Sequence, residues 1–211
     1  MPSRFFITGT DTGVGKTVTS ALLCAALGAI YWKPIQTGTR EGTDTNAVIR
    51  LAQVPRNRTL PEMYRFAPPV SPHLAARRAG VRINLRKIRL PRIEPGENLI
   101  VEGAGGVLVP VNPEQLMVDL MKQLGLPVLL VSRTSLGTIN HTLLSLAALR
   151  PANLDVRGVV LVGAKNQENR NAIELYGGVP VLGWIPPLKK LDRAALLRVF
   201  KAHFDRKAFA A

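Results

Sequence analysis

The residues with the clearest chemical potential lie in a glycine-rich loop near the start of the chain. Residues 6–17 read FITGTDTGVGKT, a short apolar run and then a loop that ends in Gly15, Lys16 and Thr17. In such a loop, successive backbone N–H groups turn toward an anion, and the N-terminus of the following helix adds partial positive charge. The lysine suits the outer phosphates of a nucleotide, and the hydroxyl suits Mg²⁺. The loop therefore predicts binding of a nucleoside triphosphate.

The spacing of this loop departs from the usual pattern. A glycine normally stands five residues before the Gly-Lys pair, whereas here Thr10 holds that position and Gly9 comes one residue earlier. A dinucleotide-binding loop is the alternative, but it needs an acidic residue about 20 positions later. No Asp or Glu occurs between Thr12 and Arg40. The triphosphate interpretation is therefore favoured.

Length and composition predict one α/β domain spanning residues 1–211, because 46% hydrophobic and 20% charged residues are ordinary for a globular protein. No uninterrupted apolar stretch approaches the roughly 20 residues of a membrane span. Residues 1–4 pass directly into an apolar strand instead of a signal segment. The single cysteine, Cys24, lies in an apolar helical pattern and is expected in the core. We expect a cytoplasmic enzyme without a membrane partner.

The chain is strongly basic, with a formal net charge of +14. Residues 77–92 contain seven Arg and Lys and no acid, so nucleic acid is a candidate partner. No aromatic residue interrupts this run, and the whole chain has only 6 Phe, 2 Trp and 3 Tyr for base stacking. We interpret the run as a solvated surface whose field helps to collect anionic ligands, and do not expect nucleic-acid binding.

Apolar runs alternate with helical patterns along the chain. Strands are predicted at 5–8, 30–33, 98–101, 127–131, 156–162 and 179–184, and helices at 17–27, 139–149 and 169–176. An amphipathic helix is predicted over 189–207, and loops with one helix within 55–95. Continuous apolar strands joined by helices are typical of a parallel sheet buried on both faces. We predict a three-layer α/β fold, a mostly parallel sheet flanked by helices, as in P-loop NTPases.

Polar residues follow two of the predicted strands, where ligands bind in such sheets. Lys33 and Thr37 follow one strand, and Glu102 ends another just before a glycine-rich stretch. An acid in this place is suited to meet Mg²⁺ directly or through water, and a second cation beside the phosphate loop would neutralise charge during phosphoryl transfer. Asp44 is a candidate metal ligand or, alternatively, the cap of the next helix.

Taken together, six motifs resemble those of the dethiobiotin synthetase family. They are GTDT at 9–12 with GKT at 15–17, KP at 33–34 with TG at 37–38, SPH at 71–73, EGAGG at 102–106, LGTINH at 136–141 and GWIP at 183–186. They occur in the family's order from residue 4 to about residue 188, and the displaced glycine of the first motif is what the family shows.

The resemblance implies an ATP-dependent ligase of biotin biosynthesis that uses Mg²⁺. In this family, 7,8-diaminopelargonate takes up CO₂ at one amine, the resulting carbamate attacks the γ-phosphate of ATP, and the second amine displaces phosphate to close the cyclic urea. No protein nucleophile is needed, so catalysis would consist of positioning and charge neutralisation.

The resemblance also implies roles for individual residues. The catalytic cations would be Lys16 and Lys33, and the metal ligands Thr17, Asp44 and Glu102. Nucleotide contacts would come from Gly13, Val14, Gly15, Lys16, Thr17, Val18, Glu102, Gly103, Ala104, Gly105, Val162, Gly163, Pro186, Pro187 and Leu188. Substrate contacts would come from Thr12, Lys33, Thr37, Ser71, Pro72, Gly137, Thr138, Ile139 and Asn140. Residues 137–140 would bind the substrate carboxylate across a homodimer interface, so a homodimer is expected.

One departure from the family concerns the nucleotide base. Many members place an asparagine that reads adenine after the strand that ends here at Val162, but this chain has Val162 and Gly163 there, with Asn166 further on. A valine cannot make the pair of hydrogen bonds that distinguishes adenine, so recognition would rest on backbone groups near Gly163 and residues 186–188 or be loose among nucleotides. We therefore expect discrimination of ATP from CTP or GTP of less than tenfold.

Two alternatives remain at this point. An ATPase of the cobyrinate amidase type would require a nucleophilic cysteine in a glutaminase partner or domain. A switch ATPase of the partitioning type would carry a second lysine early in the phosphate loop, and residues 9–15 contain none.

Overall fold

The computed structural model describes residues 2–209 and contains two parallel sheets. The strands are β1 (Arg4–Gly9), β2 (Ile30–Trp32), β3 (Ile35–Gln36), β4 (Thr59–Leu60), β5 (Tyr64–Arg65), β6 (Leu99–Glu102), β7 (Val128–Arg133), β8 (Val156–Val162) and β9 (Val181–Ile185). Seven of them form the main sheet in the order β4-β2-β6-β1-β7-β8-β9, and β3 pairs with β5.

Helices cover both faces of the main sheet. They are α1 (Lys16–Leu27), α2 (Asp44–Ala52), α3 (Pro72–Arg78), α4 (Met117–Leu124), α5 (Thr138–Leu149), α6 (Gln167–Gly177) and α7 (Arg193–His203). Buried residues of α1, α2 and α7 form one apolar cluster, and those of α3, α4, α5 and α6 form a second. The predicted three-layer fold with a parallel sheet is confirmed.

The central strand β1 shows why the apolar runs are continuous. Phe5 and Ile7 pack into the cluster of α1, whereas Phe6 between them packs into the cluster of α4. Because successive side chains point to opposite faces, a strand covered on both faces has no exposed position.

The strand register positions the functional loop. Ile7 of β1 pairs with Glu102 of β6, and Gly9 of β1 pairs with Val131 of β7. All pairings in the sheet are parallel, so the carboxyl ends of these strands lie at one edge. The loop after Gly9 therefore begins beside Glu102.

The structure adds elements that the sequence did not predict. Helix α4 has only eight residues and follows a proline-containing loop, yet it buries Met117, Leu120, Met121 and Leu124 along one stripe. The structure also gives bounds to the helix expected beside Asp44: α2 has 9 residues, and Val48, Leu51 and Ala52 form its single buried stripe. The C-terminal helix is shorter than predicted and begins after Asp192, whose side chain accepts a hydrogen bond from the Ala195 N–H at 2.9 Å.

Within residues 2–209, no helix is long and apolar enough to cross a membrane.

Candidate active site

The phosphate loop connects β1 to α1, and its last glycine is fixed by its surroundings. Gly15 has φ +103°, a left-handed conformation, and directly precedes the first residue of α1. A Cβ atom at this position would lie 2.9 Å from Cγ2 of Val162. Both the backbone conformation and the close approach of β8 therefore require glycine.

Lys16, the first residue of α1, folds back over the loop. Its Nζ donates a hydrogen bond to the carbonyl oxygen of Asp11 at 2.8 Å, and its side chain is largely buried. Burial, followed by the charge of Lys33, lowers the pKa of Lys16 to about 8. An ammonium group held in this state gains strongly from a nearby anion, because the anion offsets both effects.

Thr17, Asp44 and Glu102 converge at the N-terminus of α1. Oγ1 of Thr17 lies 2.7 Å from Oδ1 of Asp44 and 3.0 Å from Oε1 of Glu102. A hydroxyl has one proton to donate, so it can satisfy only one of these carboxylate oxygens at a time. One of these two oxygen–oxygen contacts of Thr17 therefore has no hydrogen between its atoms.

Lys33 lies between the same two acids. Its Nζ is 2.8 Å from Oδ2 of Asp44 and 3.0 Å from Oε1 of Glu102, and it also donates to the carbonyl of Gly103 at 3.2 Å. Lys33 is 4% exposed and Glu102 is 1% exposed. Burial alone would lower the pKa of Lys33, but the charges of Glu102 and Asp44 outweigh it and raise that pKa. Lys33 is therefore a permanent cation in a nearly dry site.

Asp44 is held in the cluster by its backbone. It is the first residue of α2, and its N–H donates to Oε1 of Gln36 at 3.0 Å. The cap of α2 is Thr43, whose hydroxyl accepts from the Asn46 N–H at 3.1 Å. The capping alternative for Asp44 is therefore wrong, and its carboxylate faces the cluster. Burial opposes ionisation, but Lys33 and the hydrogen bonds hold the pKa of Asp44 below its usual value.

These groups open into a cleft of about 890 Å³. Many of the predicted site residues line it, namely Thr12, Gly13, Gly15, Lys16, Thr17, Val18, Lys33, Thr37, Asp44, Ser71, Pro72, Glu102, Ala104 and Gly105. The cleft brings the predicted phosphate loop, acids and substrate contacts to one place.

Other predicted residues lie outside this lining. Val14 is buried in the core, so only its backbone is available to a phosphate, and Gly103 meets Lys33 through its carbonyl. The N-terminus of α5, residues 137–140, follows β7 at the same sheet edge but does not line the cleft. Thr138 of this segment turns inward, and its hydroxyl contacts Ser132 and the carbonyl of Arg133.

Residues at the ends of β8 and β9 also lie outside the cleft. They are Val162, Gly163, Pro186, Pro187 and Leu188. Gly163 has φ +135°, and a Cβ atom there would lie 2.3 Å from Oγ1 of Thr134. Its N–H donates to the Ile185 carbonyl at 2.9 Å, and its carbonyl accepts from Nε1 of Trp184 at 2.8 Å. Position 163 therefore has no space for a base-reading side chain and no free N–H.

Sequence reasoning missed several residues of the site. Gln36 lies between the predicted site residues Lys33 and Thr37, so its place in the site could have been predicted from the sequence. Asn46 and Arg50 of α2 line the cleft without any motif. Tyr31 donates to Oε2 of Glu102 at 3.0 Å, but in an apolar strand it looks like an ordinary core residue.

Comparison with known proteins identifies relatives over the full length. A family model described as an AAA domain matches residues 3–195. ATP-dependent dethiobiotin synthetase BioD of Brucella melitensis is 47% identical over 210 residues, 100% of this chain and 98% of the relative. The protein of the same name from Novosphingobium aromaticivorans is 48% identical over 208 residues, 99% of this chain and 100% of the relative.

Solved structures resemble the chain in fold. A ParA family ATPase from Chlorobium tepidum has a TM-score of 0.50 at 16% identity, covering 95% of this chain and 92% of that chain. The signal recognition particle receptor FtsY from Elizabethkingia anophelis has a TM-score of 0.52 at 14% identity, covering 95% and 65%. At these identities the likeness concerns the fold alone.

Proposed function

The chain belongs to the ATP-dependent dethiobiotin synthetase family, and we propose that it forms the cyclic urea of dethiobiotin from 7,8-diaminopelargonate, CO₂ and ATP. The observation that carries this proposal is the joint cleft of a phosphate loop, two acids and two lysines. Relatives that bear this name match nearly all of the chain, which argues against the amidase and switch alternatives. Cys24, the free cysteine of the described residues, is buried in the core and unsuited to glutaminase chemistry.

The phosphate loop would hold the triphosphate of ATP. Backbone N–H groups around Gly13 and Gly15 and the N-terminus of α1 supply the anion site. On binding, Lys16 would exchange its contact with the Asp11 carbonyl for phosphate oxygens.

A magnesium ion fits the cluster of Thr17, Asp44 and Glu102. One contact of the Thr17 oxygen with a carboxylate oxygen has no hydrogen between the atoms, and a cation among these oxygens would offset their repulsion. Mg²⁺ prefers oxygen ligands and keeps several waters, so one or two carboxylates suffice. No group of three or more His, Cys, Asp or Glu suited to a metal occurs in residues 2–209, which is consistent with such a sparse site. When bound, the ion would neutralise charge on the phosphates.

Lys33 would act on the phosphoryl group that is transferred from ATP to the carbamate. Its ammonium contacts Asp44, Glu102 and the carbonyl of Gly103, and Lys33 lines the cleft together with Thr37. There it would hold the carbamate oxygen for attack on the γ-phosphate and stabilise the charge that develops. The low solvent exposure of Lys33 strengthens this interaction, because fewer waters screen it.

The substrate carboxylate would bind at the N-terminus of α5 in a homodimer. This helix start lies outside the cleft, and Leu136 before it and Leu144 on its outer face are exposed. A second copy of the chain would cover these leucines and bring the helix N-terminus, a favourable carboxylate site, to the cleft of its partner. Light scattering of the purified protein tests this: a dimer is expected, and a monomer at micromolar concentration would contradict it.

A direct assay tests the proposed reaction. The purified protein is incubated with ATP, Mg²⁺, 7,8-diaminopelargonate and ¹³C-bicarbonate, and the product is examined by mass spectrometry. We expect dethiobiotin carrying one ¹³C, with one phosphate released per product. ATP hydrolysis that does not depend on the diamine, without labelled product, would refute the proposal.

A further inference from the structure

Tyr31 is a polar residue in the apolar layer beneath the proposed metal cluster. It lies in the middle of β2, its side chain is 0% exposed, and it packs with the cluster of α1 and α2. Its hydroxyl donates to Oε2 of Glu102 at 3.0 Å. A phenylalanine would fill the same space without the cost of burying a hydroxyl, so this hydrogen bond is what makes tyrosine suitable here.

The two oxygens of Glu102 consequently have different partners. Oε2 accepts from Tyr31, whereas Oε1 faces Nζ of Lys33 and Oγ1 of Thr17, each at 3.0 Å. Without a partner on Oε2, the carboxylate could rotate and turn either oxygen toward the cluster. A phenol keeps its proton at neutral pH, so Tyr31 is the donor in this contact.

We propose that Tyr31 is a positioning residue that fixes the Glu102 carboxylate so that Oε1 faces the Thr17 hydroxyl, and thereby raises the affinity of the cluster for a divalent cation. This inference rests on the proposed metal role of Glu102. A carboxylate ligand that is itself hydrogen-bonded needs less ordering when a cation binds. Tyr31 does not line the cleft and would act through Glu102 alone.

The test compares Tyr31→Phe with the wild-type protein by Mn²⁺ titration in the presence of a non-hydrolysable ATP analogue. Free Mn²⁺ is followed by its electron paramagnetic resonance signal, so the readout is independent of turnover. We expect Mn²⁺ affinity to fall roughly 10- to 100-fold, the range typical for loss of such an outer hydrogen bond. In steady-state kinetics, the Mg²⁺ concentration for half-maximal rate rises accordingly, while kcat at saturating Mg²⁺ is largely kept.

Trp32→Phe is the matched control. Trp32 is the next residue of β2, packs on the opposite face of the sheet, and donates from Nε1 to the carbonyl of Pro61 at 3.1 Å. This variant also loses one hydrogen bond from a buried aromatic residue of the same strand. Because it leaves Glu102 untouched, we expect Mn²⁺ affinity within twofold of the wild type.

The outcomes separate this inference from the proposed function. If Glu102→Gln weakens Mn²⁺ binding but Tyr31→Phe does not, the positioning role is refuted and the metal role of Glu102 stands. If Glu102→Gln has no effect either, both are overturned. Should Tyr31→Phe fail to fold, Tyr31→Leu serves as a second variant that lacks the hydroxyl, with the same expected loss of affinity.

Discussion

Replacing Lys33 by methionine tests the electrostatics of the site most sharply. Methionine keeps a long unbranched side chain but removes the ammonium that lies 2.8 Å from Asp44 and 3.0 Å from Glu102. Glu102 then becomes a buried carboxylate without its cation. Breaking a buried ion pair by removing one partner costs about 3–5 kcal/mol. For a chain of this length, that corresponds to a decrease in Tm of roughly 6–20 °C.

The pH dependence of this loss has a definite sign. In the wild-type protein, the raised pKa of Lys33 gives stability that is present at neutral pH and is lost only as the pH rises through that pKa. Burial raises the pKa of Asp44, but Lys33 and the hydrogen bonds of Asp44 lower it below the ordinary value of 3.8. This lowered pKa adds stability that is present above the ordinary pKa and is lost as the pH falls through the lowered value. Lys33→Met lacks the contribution of Lys33 at every pH, so the stability difference between the two proteins should be smaller at pH 3 than at pH 7.5.

Urea unfolding at both pH values, with EDTA present, measures the difference. Lys190→Met is the matched control, because its ammonium lies 3.0 Å from Asp192 but its side chain is 85% exposed. We expect no measurable change in the unfolding midpoint of this control, since exposed ion pairs contribute little. A loss below about 1 kcal/mol for Lys33→Met at pH 7.5, or a loss that does not decrease at pH 3, would contradict this electrostatic interpretation of Lys33.

Three further predictions concern the nucleotide. Because the pKa of Lys16 is about 8 in the free protein, binding of ATP at pH 8 should take up about half a proton. Calorimetry in two buffers of different ionisation enthalpy measures this uptake, and its absence would contradict the assigned role. Lys16→Ala and Glu102→Ala should abolish turnover while circular dichroism remains native, and substantial residual activity in either would show a wrong assignment. Because position 163 holds no base-reading side chain, kcat/KM for ATP should exceed that for CTP or GTP by less than tenfold; a strong ATP preference would refute this hypothesis.

The sequence predicted which residues meet at one edge of the sheet, because local patterns determine it. Glu102 ends the apolar strand β6, Lys33 follows the apolar strand β2, and parallel strands place their carboxyl ends at one edge. The phosphate loop was recognisable despite its displaced glycine, because Gly-Lys-Thr stands between an apolar strand and a helix. The three-layer fold was predictable from the same strands, because continuous apolar strands need helices on both faces of their sheet.

What the sequence did not predict depends on contacts between distant residues. Tyr31 is indistinguishable from a core aromatic until β2 and β6 are paired and its hydroxyl reaches Glu102. Position 163 looks open in the sequence, but Thr134 after β7 occupies the space of a side chain there. The role of Asp44 was ambiguous because either Thr43 or Asp44 is a good helix cap, and only the fold shows which one is used.

We infer that the triphosphate of ATP lies on the loop before Lys16, with its γ-phosphate between Lys16 and Lys33. A crystal structure with a non-hydrolysable ATP analogue, Mg²⁺ and 7,8-diaminopelargonate tests it most directly. We expect the γ-phosphate in contact with Nζ of Lys16, a metal ion bound to the Thr17 hydroxyl, and an amine of the substrate facing the γ-phosphate near Lys33. A nucleotide bound away from this loop, or a substrate amine that cannot reach the γ-phosphate, would contradict it.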